Sequence, residues 1–177
     1  TILNFNAVSE ALANLFRDLK ITNKNVAASI SGNAVFVKKI NMPSMTDQEL
    51  DEQLKWEAEQ YLPFNPDEVN IDYDILERPT SPDEEMSVLL VAAKKEIIED
   101  YRQVIEDAGL KLVVMEIDSF SLQNAFELNY EVDPQETIAL ANIGANYTNI
   151  NVLRNGISLF TRDISVGGNK FTEELQR

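Results

Sequence analysis

The stretch Asn142-Ile143-Gly144-Ala145-Asn146-Tyr147-Thr148 joins two strand-like runs and carries the residue types that could seat a phosphoryl group. A glycine at a hairpin tip lets backbone N–H groups approach an anion with no Cβ in the way, and a hydroxyl four residues on adds a donor. The same pattern is also met as a plain turn. Further along, Gly167-Gly168-Asn169 opens a helix. A second group of candidates is aromatic. Trp56 falls about 200° around its helix from Leu54, off the apolar stripe, and Tyr61, Pro63 and Phe64 follow at the helix end. Trp56 is either packed under a neighbouring loop or a partner contact, and Tyr61, Pro63 and Phe64 are either a wall for a bound peptide or a plug between helix and sheet. The chain has no histidine and no cysteine, which removes His-dependent triads, HExxH sites, thiolate metal sites and disulfides. Catalysis would have to run on carboxylates, hydroxyls, amides, lysines or backbone N–H groups.

The elements that must position these residues are legible in the periodicity. Val8, Ala11, Leu12, Leu15 and Leu19 predict a helix over Asn6–Leu19. Val26–Ser31 and Ala34–Met42 read as two strands, with Ser31-Gly32-Asn33 as the hairpin turn between them. Thr46 and Glu49 form a capping box for a helix whose Leu50, Leu54, Ala58 and Tyr61 share one face, and Pro63 stops it. Val69–Leu76 alternates apolar residues with Asn70, Asp72 and Asp74, a half-buried strand with a wet acidic side. Arg78–Glu85 is a loop. Met86–Ala93, a helix over Lys94–Ala108 stopped by Gly109, and Leu112–Ile117 read as one strand-helix-strand unit. A helix capped by Asp118 or Ser119 runs to Asn129. Three strands, Thr137–Asn142, Thr148–Leu153 and Ile157–Ile164, follow, with Asn155-Gly156 as the last hairpin turn.

The 177 residues are enough for one large domain or two small ones. Thirty acids against fifteen bases give a net charge of −15, which repels phosphate backbones and anionic lipid and argues against nucleic-acid binding. The charge is uneven. Ser44–Asp100 holds seventeen acids and four bases, and the remainder is nearly neutral, which suggests an acidic module set within another one. That acidity is either a solvated surface or a dock for a basic partner. The longest apolar run, Val88–Ala93, is far short of the ~20 residues that span a bilayer, and no signal peptide, lipidation motif or basic amphipathic helix is visible.

Two strings together carry a family resemblance: Trp56-Glu57-Ala58-Glu59-Gln60-Tyr61-Leu62-Pro63-Phe64, and Asn142-Ile143-Gly144-Ala145 leading to Thr148. The second resembles the second phosphate loop of actin-like ATPases, Asp-x-Gly-x-x-x-Thr. Both, in this order, resemble the type IV pilus assembly protein PilM family, relatives of the division protein FtsA. The likeness runs through essentially the whole chain. It implies an α/β fold with an α+β insert, a partial actin-like lobe. Residues 1–25 and 118–177 would form a ribonuclease-H-like subdomain 1A, and residues 26–117 an inserted subdomain 1C.

The resemblance also implies roles. Asn142 stands where the family usually has the Asp that holds Mg²⁺ through water. Gly144 and Thr148 keep the loop pattern, Gly167 and Gly168 match a Gly-Gly before the next helix, and Asp118 lies where actin-like proteins orient an attacking water, a role compatible with helix capping. ATP and Mg²⁺ are implied for the complete protein. The first phosphate loop is expected upstream of Thr1 and the second lobe beyond Arg177, so this stretch alone is expected neither to bind ATP tightly nor to hydrolyse it. The implied function is a cytoplasmic scaffold held peripherally at the inner membrane. It would bind the N-terminal cytoplasmic peptide of a PilN-type membrane protein in a groove between 1A and 1C, beside other pilus motor and platform proteins, with Trp56, Tyr61 and Phe64 as candidate contacts. The alternatives are an ATP-driven actin-like switch enzyme and an FtsA-like division protein.

Overall fold

In the computed structural model, residues 2–79, 81 and 84–177 are described, with the side chain of Lys55 excepted. The loop expected over Arg78–Glu85 therefore falls partly outside the described residues. Helix α1 (Phe5–Asp18) starts at Asn4, whose side chain accepts from the Ala7 N–H at 3.0 Å. Strand β1 (Asn25–Ile30) follows, then a 3₁₀ turn (Gly32–Ala34) and β2 (Val35–Pro43). Helix α2 (Asp47–Glu59) carries the predicted capping box: the Thr46 side chain accepts from the Glu49 N–H, and the Glu49 carboxylate accepts from the Thr46 N–H at 2.9 Å. A second 3₁₀ turn (Pro66–Glu68) leads to β3 (Val69–Glu77) and β4 (Glu85–Lys94). Helix α3 (Lys95–Asp107), β5 (Lys111–Ile117), α4 (Asp118–Asn129), β6 (Thr137–Ile143), β7 (Thr148–Arg154), β8 (Ile157–Ile164) and α5 (Gly168–Leu175) complete the chain.

The strands form three sheets. β2, β4 and β3 make an antiparallel sheet in that order, with β4 in the middle. Met86 to Ala92 reads with little alternation because residues on both faces of β4 are largely shielded: Met86, Val88 and Leu90 on one, Ser87 and Leu89 on the other. One face packs on α2. Leu50, Leu54 and Ala58, spaced four apart, meet Ile40, Met42, Met86, Val88 and Leu90, and all eight are buried. Each large side chain among them contributes about 1.5–3 kcal/mol relative to exposure. The other face carries Leu89 and Val91, paired across the strands with Asp74 and Asp72.

The hairpin expected between β1 and β2 does not form. β1 pairs in parallel with β5, from Asn25 against Lys111 to Ile30 against Ile117, and the chain leaves β1 through Gly32 at φ +76°. Parallel pairing needs a long crossover, and here the intervening 80 residues supply it. The strand-helix-strand unit read over Met86–Ile117 has its three elements, but β4 and β5 lie in different sheets. Helix α1 packs on α3, beside this parallel pair.

β6, β7 and β8 form the third sheet, antiparallel in chain order. Asn155 and Gly156, at φ 52° and 72°, make the tight turn between β7 and β8. Helix α4 lies between this sheet and the β1–β5 pair. It opens directly from β5: the residue with extended backbone at its start is Ile117, and no side chain caps it. The capping role expected of Asp118 or Ser119 is thus corrected, because both are already inside the first turn.

Candidate functional site

The β6–β7 connection, the end of β8 and the start of α5 converge. The Gly144 N–H donates to the Tyr147 carbonyl at 2.9 Å and closes the tip. The first N–H groups of α5 reach into that tip: Gly168 donates to the Gly144 carbonyl and Asn169 to the Ala145 carbonyl, both at 2.9 Å. The Asn169 amide side chain donates to Asn146 Oδ1 at 2.9 Å. Thr148 Oγ1 donates to the Val166 carbonyl at 2.7 Å. Gly144, Thr148, Gly167 and Gly168 are therefore one packed unit, with Asn142 at the end of β6 beside it.

This wiring bears on what the unit can hold. The amides of Gly168 and Asn169 and the Thr148 proton are already engaged with protein carbonyls. The N–H groups of Ala145, Asn146 and Tyr147 at the tip lie outside these bonds, which leaves them as the tip donors available to an anion. A divalent cation fits less well. Asn142 is a neutral amide with no charge to attract Mg²⁺, and its Nδ2 donates to Asn149 Oδ1 at 3.1 Å. No group of three or more acidic residues is placed to hold a metal among the described residues.

Asn142 is the first member of a row that crosses the sheet. Asn142 faces Asn149 on β7, and Asn149 faces Asp163 on β8. The buried Asn149 donates through Nδ2 to Asp163 Oδ1 at 2.7 Å, and Asp163 Oδ2 accepts from the Gly32 backbone N–H in a short bond. A second row lies under α4. There Asn151, also buried, donates to Gln123 Oε1 at 3.0 Å and accepts from Ser158 Oγ at 2.7 Å. Sequence reasoning passed over Asn149, Asn151 and Asp163. The signal for Asn149 and Asn151 was polar residues at alternate positions of β7, and Asp163 lies on β8 opposite Asn149.

Asp118, in the first turn of α4, sits near Tyr101 of α3. Burial first, and the Asp118 charge second, hold the Tyr101 hydroxyl above its ordinary pKa. No hydrogen bond among the described residues joins Asp118 to the 142–148 loop.

The aromatic candidates separate. Trp56 is 73% exposed. Tyr61 lies under Lys38, whose Nζ is 4.2 Å from the ring centroid, and Phe64 under Lys94 at 5.2 Å. Phe64 also lines a groove of about 430 Å³, with Gly32, Phe36, Ile117, Thr161 and Asp163. A neighbouring groove of about 540 Å³ runs along the other part of the same sheet face, between Leu89, Val91, Asp72 and Asp74 on one side and Ile117 and Phe120 on the other. Neither Trp56 nor Tyr61 lines either groove.

A family model of the type IV pilus assembly protein PilM matches residues 1–177. The chain belongs to the PilM family. Its mixed α/β fold, with the α+β insert, is the PilM fold: a PilM-PilN type IV pilus biogenesis complex matches at 27% identity with a TM-score of 0.88. That match covers 98% of this chain and 52% of the other, so the chain spans about half the length of the PilM structure. The cytoplasmic domain of EpsL, an inner-membrane component of the type II secretion system of Vibrio cholerae, matches at 11% identity and a TM-score of 0.59, covering 89% of this chain and 56% of that one. A Bacteroides thetaiotaomicron protein with an actin-like ATPase fold gives 13% identity and a TM-score of 0.47, covering 95% and 59%. Among the described residues no helix is long and apolar enough to cross a membrane.

Proposed function

We propose that this chain is the peptide-holding part of a PilM-type scaffold, and that the pair of grooves on the far face of the β2–β4–β3 sheet receives an extended N-terminal segment of a PilN-type inner-membrane protein. The observation that carries the reading is the make-up of that face. Leu89 and Val91 give an apolar floor, Ile117 and Phe120 an opposite wall, and Asp72, Asp74 and Glu116 an acidic fringe on the larger groove, while Arg162 stands beside Asp163 in the smaller one. An extended segment with alternating apolar side chains and at least one Lys or Arg suits such a surface. The edge strands β3 and β8 border it and can supply main-chain hydrogen bonds. The likeness to a structure of PilM with PilN supports the choice of occupant.

Under this reading the protein sits at the cytoplasmic face of the inner membrane through its partner and meets other pilus motor and platform proteins there. The inserted subdomain is narrower than residues 26–117: we place it at 35–94, the β2–β4–β3 sheet with α2, and leave β1, α3 and β5 to the actin-like body. In a complete PilM-type protein the 145–147 amides would hold a phosphoryl group of ATP, with Asn142 toward any Mg²⁺. There the nucleotide would supply a switchable anion, and these residues would help to bind and orient it.

Titration calorimetry with the cytoplasmic N-terminal peptide of the PilN-type partner tests the proposal. The expected result is saturable 1:1 binding without nucleotide, weakened when Asp72 and Asp74 are both changed to Asn. No heat of binding, or binding indifferent to that change, would count against the groove.

A further inference from the structure

The entry to the insert and the tip of the 142–148 loop meet at one residue, Gly32. Gly32 is the point where the chain turns out of β1 toward β2, and its φ of +76° requires a glycine. Two independent contacts reach it from the β6–β7–β8 sheet. The Tyr147 ring, from the loop tip, lies against its Cα, so close that a Cβ there would stand 3.3 Å from the ring. The Asp163 carboxylate accepts the Gly32 N–H on one oxygen and the Asn149 amide on the other. Asn149 in turn accepts from Asn142. The loop thus touches Gly32 once directly and once through a hydrogen-bonded row in which Asn149 is buried. Gly32 and Asp163 also line the 430 Å³ groove.

We propose that Gly32 is a coupling joint: the state of the 142–148 loop, through Tyr147 and the Asn142–Asn149–Asp163 row, sets the position of the β1–β2 junction and with it the opening of the groove. The inference deepens the proposed function and rests on it for the groove's occupant, while the joint itself stands on the contacts alone. A phosphoryl group drawing on the tip amides would move Tyr147 or the Asn142 amide, and either displacement is felt at Gly32. In the reverse direction, a segment seated against Gly32 and Asp163 acts on the loop by the same amount, since coupling between two binding sites is reciprocal. The contacts form a contiguous path, and a measured coupling is what turns a path into a mechanism.

Amide hydrogen exchange at Gly32 tests the joint without any ligand. Asp163→Ala removes the direct acceptor and should accelerate exchange there. Asn142→Ala removes a residue that does not touch Gly32, and Tyr147→Leu alters the ring contact without touching the row. Each is expected to accelerate Gly32 exchange by about tenfold or more, with the amides of α2 unchanged. Exchange within about twofold of the native rate in both Asn142→Ala and Tyr147→Leu overturns the coupling. No acceleration in Asp163→Ala overturns its first link. Calorimetry with the PilN-type peptide then reads the consequence: Asn142→Ala should change affinity about threefold or more, and equal affinities overturn the regulatory part. A native chain that takes up no peptide counts against the groove reading instead, and the exchange rates alone then decide the joint.

Discussion

A Cβ placed on Gly167 would stand 2.5 Å from the Gly144 carbonyl oxygen and 2.6 Å from the Ala145 carbonyl, closer than side-chain carbons come to backbone. At Gly168 the same construction leaves 3.8 Å to the nearest atom. The two adjacent glycines therefore do different things. Gly167 permits α5 to dock onto the loop, while Gly168 is simply the first helical residue. Gly167→Ala is expected to push α5 off the loop and to cost about 1–3 kcal/mol, as overpacking against backbone does. Gly168→Ala is expected to stay within about 0.5 kcal/mol of the native protein. Urea unfolding of both variants checks the contrast, and equal stabilities would remove the close approach from the account of the loop.

Trp56 sits on α2 in the string that carries much of the family resemblance, yet it is 73% exposed and outside both grooves. A buried aromatic truncated to Ala loses about 3–5 kcal/mol. An exposed one should lose no more than about 0.5 kcal/mol. Trp56→Ala is expected to leave the melting temperature nearly unchanged, while Leu54→Ala, one step inside on the same helix, lowers it steeply. A large fall for Trp56→Ala would place the ring under protein, in conflict with its exposure here.

Local elements were legible because their causes are local. The capping box at Thr46 and Glu49, the Leu50-Leu54-Ala58 stripe and the Asn155-Gly156 turn each stand as read. Strand pairing was not local. Val26–Ser31 and Ala34–Met42, with a glycine between them, satisfy every short-range sign of a hairpin, but β1 finds its partner in β5 instead. A glycine at φ +76° reports that the chain turns, not toward which sheet. The start of α4 was misread for a related reason. A strand can feed a helix with no loop residue between, and then an apolar strand residue, Ile117, takes the cap position. In the candidate site, Gly144, Thr148 and the glycine pair were found through the loop pattern. Asn149 and Asp163 were not, because their meaning lies in the register of three strands, which sets them in one row with Asn142.

Tyr101 gives a reading of Asp118 that needs no ligand. Its hydroxyl is held above the ordinary tyrosine pKa, mostly by burial and in smaller part by the Asp118 charge. A raised folded-state value means the protonated form is the one the fold favours. This contribution to stability is present below the unfolded value and is lost as pH rises through the raised one. Asp118→Asn removes the smaller cause, so Tyr101 should ionise at lower pH than in the native protein but still above an unfolded tyrosine. An alkaline titration of the Tyr101 ring signals by NMR reads the shift. An unchanged midpoint would mean that the Asp118 carboxylate points away from Tyr101 and would free it for another role.

Asn142 lies at the end of the strand that leads into the loop, and the row behind it explains what its amide does. Its NH₂ group donates to Asn149 Oδ1, which leaves the Asn149 NH₂ for Asp163. In Asn142→Asp a carboxylate oxygen would face the Asn149 oxygen instead. Turning the Asn149 amide over relieves that contact but takes its donor away from Asp163. One hydrogen bond is lost either way, at a cost of about 1 kcal/mol at neutral pH. Protonating the new carboxyl restores a donor, so its folded-state pKa is expected to rise, with the penalty absent in acid and appearing as pH rises through the carboxylate range. A variant that melts with the native protein at neutral pH would show that the amide is not what holds the row together.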